Sequence, residues 1–513
     1  MNSVVLIFLI IYYVVVVAIG FWAVKKGGAK DLEGFLLGGR KIGPLVTAMT
    51  LQSTSMSGYM FLGGGSEGFR AGYWAIWYAV GDIGGGVVNL SIIGRRMRKM
   101  SKLLGSLTAI EYLEHRYPHP AMRLIAGGLS VFLLYFYVLA QFIAGGKGMA
   151  LVTGLPYAAA LIIAVGIIMI YTFLGGYFAV AYTDFFQSIV MVIGMLWITF
   201  ATLKAVGGFT AANNALAAID PTYLSIWGKD LAFKGEWGEV AGAVLIFSVG
   251  YMGWPHVVTR HMAMESPKTA RMAALYSTIW NLFFVTAPYL LGIFAILLLP
   301  NLADAEMAIF TLAGELLPPA VTGIVMAAIM AAIMSTADSI LLQVGTIASR
   351  DIFQRFFKPD ATDHQMVWVS RILILVMGLI GLFVAIFNPP GVFAIVTYTT
   401  SVLGSAFLPL YVCAVWWKKA NTPGALASMI GGALIAFLSR QLGWGLHPML
   451  AGLIASIVLM VVVSLATQKS SPVPKHLLEA MDEVAKLGPI PKEMLAASDT
   501  GLSAEARNIK KNL

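Results

Sequence analysis

The residues best suited to chemistry lie in one stretch, MAAIMSTADSILLQ, from Met330 to Gln343. Read as a helix, it places Ala332, Ser335, Thr336 and Ser339 at i, i+3, i+4 and i+7, on one face. Ser335 and Thr336 each offer a hydroxyl oxygen, and Asp338 on the shoulder of that stripe offers a carboxylate. The stretch sits inside a long apolar run that begins near Pro318. A carboxylate near the centre of a bilayer costs about 2.5–3.5 kcal/mol on insertion scales. A small hard cation with oxygen ligands would offset that cost. A single Ser or Thr could equally donate to the carbonyl one turn back. The whole face, taken with Asp338, points to an ion site.

Three further ionisable groups fall in apolar runs. Asp184, in GGYFAVAYTDFFQ, begins a span from its inner end. It is either a helix-terminal acid or, if the fold brings it to Asp338 and Ser339, a second cation ligand. Asp82, in GDIGGG, lies mid-span without an obvious partner and is given no role. Lys147, near the outer end of its span, is expected to snorkel to the interface.

The elements that position these groups follow from composition. The chain has 513 residues, of which 59% are hydrophobic and 12% charged, and its mean hydropathy is +0.82. Many runs exceed the ~18–20 apolar residues that span a bilayer. They are continuous rather than alternating, which excludes a β-barrel. The fold class is therefore an all-α polytopic membrane protein. The single cysteine, Cys413, rules out an internal disulfide. The net charge of +9 marks inner loops, not nucleic-acid affinity. The first segment, Val4 to Val24, is too long for the apolar h-region of a signal peptide and lacks a charged start and a cleavage site, so it reads as a retained helix.

About thirteen spans are expected: 3–24, 43–69, 72–94, 121–149, 155–175, 180–206, 238–260, 271–299, 315–347, 368–387, 391–416, 422–440 and 446–467. Basic residues cluster in alternate loops: Lys25, Lys26, Lys30, Arg40 and Lys41; Arg95, Arg96, Arg98, Lys99 and Lys102; Arg116 and Arg123; Arg260, Lys268 and Arg271; Arg350, Arg355 and Lys358; Lys418 and Lys419. The positive-inside rule puts these loops in the cytoplasm, the N-terminus outside and the C-terminal tail inside. The opposite loop from Gly207 to Trp237 carries only Lys229 and Lys234, and its SIWGKDLAFKGEWGE stretch could lie on the outer membrane surface. The tail after Thr467 is polar, with a short amphipathic LLEAMDEVAKL that is read as solvated.

Two spans look interrupted. The run LVTAMTLQSTSMSGYMFLGGGSEG is polar from Gln52 to Gly58, and VLIFSVGYMGWPHVVTR holds Gly250, Gly253 and Pro255. Irregular backbone at membrane depth belongs where it lines a cavity or is buried in protein. The breaks stand five spans apart, so the second block of five is inverted relative to the first, the pattern of a transporter with its substrate at midplane. The expected units are 1–42 (first helix and inner loop), 43–206 (first repeat), 207–237 (external loop), 238–416 (second repeat), 417–467 (two further helices) and 468–513 (tail).

Gly38 to Arg40 with Gly43 and Pro44, SMSG, GGYFAVAYTDFFQ, GYMGWPH, AAIMSTADS and WWKKANTPGALASMIGG together resemble the sodium:solute symporter family over nearly the whole chain. The resemblance implies a leucine-transporter-like core of two inverted five-helix repeats, here spans two to eleven. It implies a sodium site made by the backbone carbonyls of Ser53, Met56 and Ala332 and the hydroxyls of Ser335 and Thr336. It also implies, in some members, a second sodium site at Asp184, Ser335, Asp338 and Ser339. The chain is most similar to the proline and pantothenate types. GYMGWPHVVTR has Trp254 where the proline type has Gln, and Ser55 stands where that type has Asp. The loss of that negative charge fits a substrate of net negative charge. The expected pocket is Ser57, Gly58, Tyr59, Tyr137, Gln141, Phe247, Tyr251, Trp254 and Pro255, aromatic walls with a few polar groups.

These readings converge on a sodium-coupled symporter that imports a small organic solute, such as proline or the carboxylate pantothenate, by alternating access. It is expected to be multi-pass in the plasma membrane, monomeric, with no catalytic residues and sodium as its ion. Proton coupling through Asp184 and Asp338, or a monocarboxylate substrate, is the nearer alternative; a channel or a membrane sensor is the remote one.

Overall fold

The computed structural model of the chain describes residues 3–27, 31–228, 237–387, 391–488, 490, 491, 494 and 495. The helices, in chain order, are α1 (Ser3–Gly27), α2 (Leu32–Leu37), α3 (Pro44–Ser55), α4 (Gly65–Ala71), α5 (Ile76–Asn89), α6 (Arg95–Leu103) and α7 (Ala109–Arg116). There follow α8 (Pro120–Thr153), α9 (Tyr157–Ala205), α10 (Phe209–Ile219), α11 (Trp237–Ser248), α12 (Pro255–Ala263), α13 (Thr269–Phe284) and α14 (Ala287–Leu298). The rest are α15 (Ala308–Leu316), α16 (Pro319–Thr346), α17 (Asp363–Ile386), α18 (Val392–Trp416), α19 (Thr422–Gln441), α20 (Pro448–Ala466) and α21 (Lys475–Ala485). Among the described residues, 10 helices are long and apolar enough to cross a membrane, and Tyr157–Ile170 and Trp237–Ser248 are shorter apolar helices. The two spans assigned to 155–175 and 180–206 are the two arms of α9, separated by a kink at Gly176, whose backbone is non-helical at φ 57° and ψ −163°.

The two breaks have local causes. Helix α3 ends at Ser55, Met56 is non-helical at φ −88° and ψ 64°, and the chain resumes as a wide turn over Tyr59–Gly64. At the second break a 3-10 turn, Gly250–Gly253, follows α11, and Trp254 is extended. Pro255 then opens α12 at its first position, where a missing N–H costs nothing and the preceding residue is steered out of the helix.

Burial sorts the helices. In α16, 83% of the most apolar window is buried, against 28% in α1 and α17. Apolar side chains inside water-soluble cores must be covered, but lipid covers them in a membrane. Thus α1 and α17 expose Ile7, Ile10, Ile11, Leu379 and Phe383, whereas α16 packs against α9, α8, α1 and α3. The ion-type face is carried by the most enclosed of the 10 candidate spans among the described residues.

The basic clusters do more than mark topology. Arg40, Arg98, Lys99, Arg116 and Arg123 are all buried. Arg40 donates to Glu33, the Ser101 hydroxyl and the carbonyls of Met262 and Ser106. Arg123 pairs with Asp351 at 2.9 Å, Glu114 at 3.1 Å and Glu111 at 3.3 Å. Lys30 lies outside the described residues.

Two expectations need correction. Lys147 does not simply snorkel: its ammonium meets Glu306 at 2.6 Å and Asp304 at 3.2 Å, and Glu306 also accepts the Val392 N–H. The tail is not merely solvated. Helix α21 buries Leu477, Ala480, Met481 and Val484. Lys99 Nζ donates to the carbonyls of Glu483, Lys486 and Gly488, at 2.9–3.1 Å. The amphipathic stripe of LLEAMDEVAKL thus has a partner surface, which its sequence could not name. Lys229 and Lys234, the middle of SIWGKDLAFKGEWGE, and Pro489 lie outside the described residues.

Candidate ion and substrate site

Helix α16 presents its hydroxyls to the frayed end of α3. Ser335 Oγ donates to the Ser53 carbonyl at 3.0 Å and Thr336 Oγ1 to the Thr54 carbonyl at 2.9 Å. Both hydroxyls also lie 3.2 Å from the Ala332 carbonyl. The back-bonding and cross-helix readings of these hydroxyls therefore hold together. Ser53, Ala332, Ser335 and Thr336 come together with every member fully buried. Met56 caps the end of α3, but among the described residues the carbonyl opposite Thr336 is that of Thr54. The donor set is carbonyls and hydroxyls alone, which suits a hard monovalent cation. No group of three or more His, Cys, Asp or Glu that could hold a metal ion occurs among the described residues.

Asp184 stands on α9. Its Oδ2 accepts from Thr50 at 2.5 Å and Ser339 at 3.1 Å, with Thr54 Oγ1 at 3.2 Å. It is a mid-helix carboxylate rather than a helix-terminal one. Arg260 shares this cluster. Its Nη2 lies 3.4 Å from Asp184 and 2.8 Å from the Ser339 hydroxyl and also donates to Thr54. Its Nε donates to the Thr50 carbonyl at 3.1 Å. Arg260, grouped by sequence with Lys268 and Arg271 in a loop, is instead 2% exposed on α12. Asp338 is fully buried on α16. Ser335 joins the two regions, since its carbonyl faces Thr54 Oγ1 at 3.3 Å. Asp184 and Ser339, both expected at a second ion site, come together around the Arg260 guanidinium.

The expected pocket residues gather where the two breaks meet, and all nine are buried. Tyr59 stacks on Phe247 with centroids 4.9 Å apart, and Tyr251 meets Trp254 edge-on at 4.5 Å. Tyr137 lies edge-on to Trp254 and donates from its hydroxyl to Ser57 Oγ at 3.2 Å. Gln141 Oε1 accepts the Gly58 N–H at 3.0 Å. Gly58 permits this approach, since a Cβ there would stand 2.7 Å from Ile333 and 2.9 Å from Gln141 Oε1. Pro255 contributes the carbonyl that accepts from Thr259.

Two residues not foreseen belong to this cluster. Asp82 accepts from the Tyr59 hydroxyl at 2.7 Å and from the Tyr251 hydroxyl, so it does have partners. His256 stacks on Trp254 at 5.6 Å and lies edge-on to Tyr137 at 6.2 Å. The signal for Arg260 and His256 was present in the sequence, because Pro255 at the first position of a helix carries both onward through the same two turns.

The family model described as "Sodium:solute symporter family" matches residues 35–432. An osmoregulated proline transporter of Bacillus subtilis is 28% identical over 497 residues, covering 95% of this chain and 99% of that protein. A sodium/proline symporter of Staphylococcus aureus is 30% identical over 487 residues, covering 90% and 93%. Among solved structures, a substrate-bound, outward-open Na+-coupled sialic acid symporter superimposes with a TM-score of 0.75 at 18% identity, covering 91% of this chain and 98% of that one. Mhp1, a nucleobase-cation-symport-1 family transporter, gives 0.55 at 16% identity, covering 87% and 98%. These two likenesses establish the fold. The family match over most of the sequence establishes descent: the chain belongs to the sodium:solute symporter family.

Proposed function

We propose that this sodium-coupled solute symporter imports a small organic solute, an amino acid such as proline or a carboxylate such as pantothenate, by alternating access. Sodium would bind among the carbonyls of Ser53, Met56 and Ala332 and the hydroxyls of Ser335 and Thr336, holding the break after α3 against α16. The observation that carries this reading is the pair of hydroxyls on α16 facing the Ser53 and Thr54 carbonyls across that break. A bound cation would replace the hydroxyl protons as the bridge, so binding would order the break and, through Ser57, Gly58 and Tyr59, the adjoining solute pocket. Inward movement of each cation gains about 2.3 kcal/mol per 100 mV of membrane potential.

The repeat organisation belongs to the same proposal: thirteen spans, with inverted five-helix units over 43–206 and 238–416, the N-terminus outside and the tail inside. A second sodium at Asp184, Ser335, Asp338 and Ser339 would require Arg260 to withdraw, because the guanidinium holds the charge balance of Asp184. One sodium per cycle is the simpler reading. Uptake of radiolabelled proline, pantothenate and a short monocarboxylate into proteoliposomes, with and without an inward sodium gradient, tests coupling. Uptake driven by sodium supports it; uptake driven only by a proton gradient overturns it.

A further inference from the structure

Asp82 sits mid-helix on α5 with no exposure to solvent. Each of its carboxylate oxygens accepts one phenol, Tyr59 on Oδ2 and Tyr251 on Oδ1. A carboxylate offers about four acceptor positions, so two remain. Among the described residues no Lys, Arg or His makes an ion pair with it. Buried charges are retained when they are paired, and phenols supply hydrogen bonds without a positive charge. The surrounding rings of Tyr59, Phe247, Tyr251 and Trp254 are joined by contacts of 4.5–6.2 Å. A carboxylate walled by aromatic faces is the chemistry that recognises an ammonium group. Gly85, one turn on from Asp82, lets this wall close, since a Cβ there would meet the Phe247 carbonyl at 2.3 Å.

Two other side chains around the cluster carry buried polar atoms without hydrogen-bond partners. Gln141 spends its Oε1 on Gly58, and its buried Nε2 has no hydrogen-bond partner. His256 is 1% exposed, and neither ring nitrogen has one. A ligand oxygen is one way to satisfy buried polar groups left open in this way. Both can donate to an anionic oxygen. Ser55 turns its hydroxyl back to the Leu51 carbonyl at 2.7 Å. Asp82 is therefore the carboxylate that faces the aromatic cluster.

We propose that Asp82 receives the ammonium group of an amino-acid substrate, while the Gln141 amide and His256 ring serve its carboxylate. This rests on the sodium-coupled import reading above and narrows its substrate class from carboxylates in general to zwitterions.

The test uses the full chain in proteoliposomes under an inward sodium gradient. Uptake is measured for L-proline and L-alanine and for their deamino counterparts, cyclopentanecarboxylate and propionate. The wild-type protein is expected to take up at least one of the amino acids and to prefer it by about 100-fold or more in kcat/KM, as sites built around a substrate N–H do. Asp82→Asn is expected to cut that preference below about 10-fold, while binding of radiolabelled sodium stays at the wild-type level. Equal wild-type uptake of an amino acid and its counterpart would overturn the assignment without requiring any variant. So would an Asp82→Asn protein that keeps the preference. Sodium-driven uptake of the carboxylates alone sinks the ammonium site and leaves sodium symport standing. Uptake of none of the four, with sodium still bound, also overturns the ammonium assignment. Loss of both sodium binding and uptake in the wild type sinks both readings.

Discussion

Asp184 and Asp82 are both fully buried carboxylates inside a bundle meant for lipid, yet they are balanced differently. Asp184 has a guanidinium within 3.4 Å and three hydroxyls around one oxygen. Asp82 has two phenols and aromatic walls. A fixed cation makes the first a joint, tying α9 to α3, α12 and α16. Without one, the second is poised for a cation that arrives with the substrate. Burial alone therefore does not identify a binding carboxylate; the identity of its partners does.

Breaking the joint should have the largest effect. Arg260→Gln leaves Asp184 buried without its cation and is expected to destabilise the protein by about 3–5 kcal/mol, read as thermal unfolding in detergent. The double variant with Asp184→Asn should recover most of that loss. A double variant no more stable than Arg260→Gln would mean that the pair is not the source of the effect.

Substituting Asp82 should leave stability nearer the wild-type value and act on substrate choice, as set out above. Equal loss of stability in Asp82→Asn and Arg260→Gln would erase the contrast. A smaller effect is expected at the docked tail: Lys99→Met removes charge-assisted bonds to three carbonyls of the tail and should cost about 1.5–3 kcal/mol. Protease cleavage between α20 and α21 should become faster in that variant, and an unchanged cleavage rate would remove the docking role.

The smallest predicted effect is on pH. Burial by itself would raise Glu111, but Arg350 and Arg123 outweigh it and hold its carboxyl well below the ordinary range. His115 is also lowered, chiefly by burial. Both groups bind protons more readily in the unfolded chain, so both stabilise at neutral pH. The His115 contribution begins to fade as pH falls through its unfolded value near about 6.5, and that of Glu111 fades below about 4.3, continuing toward its lower folded value. Thermal stability should therefore decline from about pH 7.5 to about pH 3, and Glu111→Gln should flatten the part of that decline below about pH 4.3. An identical profile in the variant would contradict the assignment.

Much of this was legible from local pattern. The face of Ala332, Ser335, Thr336 and Ser339 follows from helical spacing alone, and the breaks follow from Gly58 and from Pro255. Asp82 was not legible, because its partners stand 23 and 169 positions away on other elements. Arg260 was misplaced because a basic residue near Lys268 and Arg271 looks like a loop marker. Only packing shows that α12 carries it inward. The tail helix displayed its apolar stripe, but the surface it covers is built by Lys99 and Arg116 from distant segments.

The central claim, that the face between the α3 break and α16 is where sodium acts, is tested most directly by the sodium dependence of uptake in Thr336→Ala. The account predicts that half-saturating sodium rises by about 10-fold, the worth of one lost ligand hydroxyl, with uptake restored at high sodium. A sodium dependence identical to wild type would contradict it.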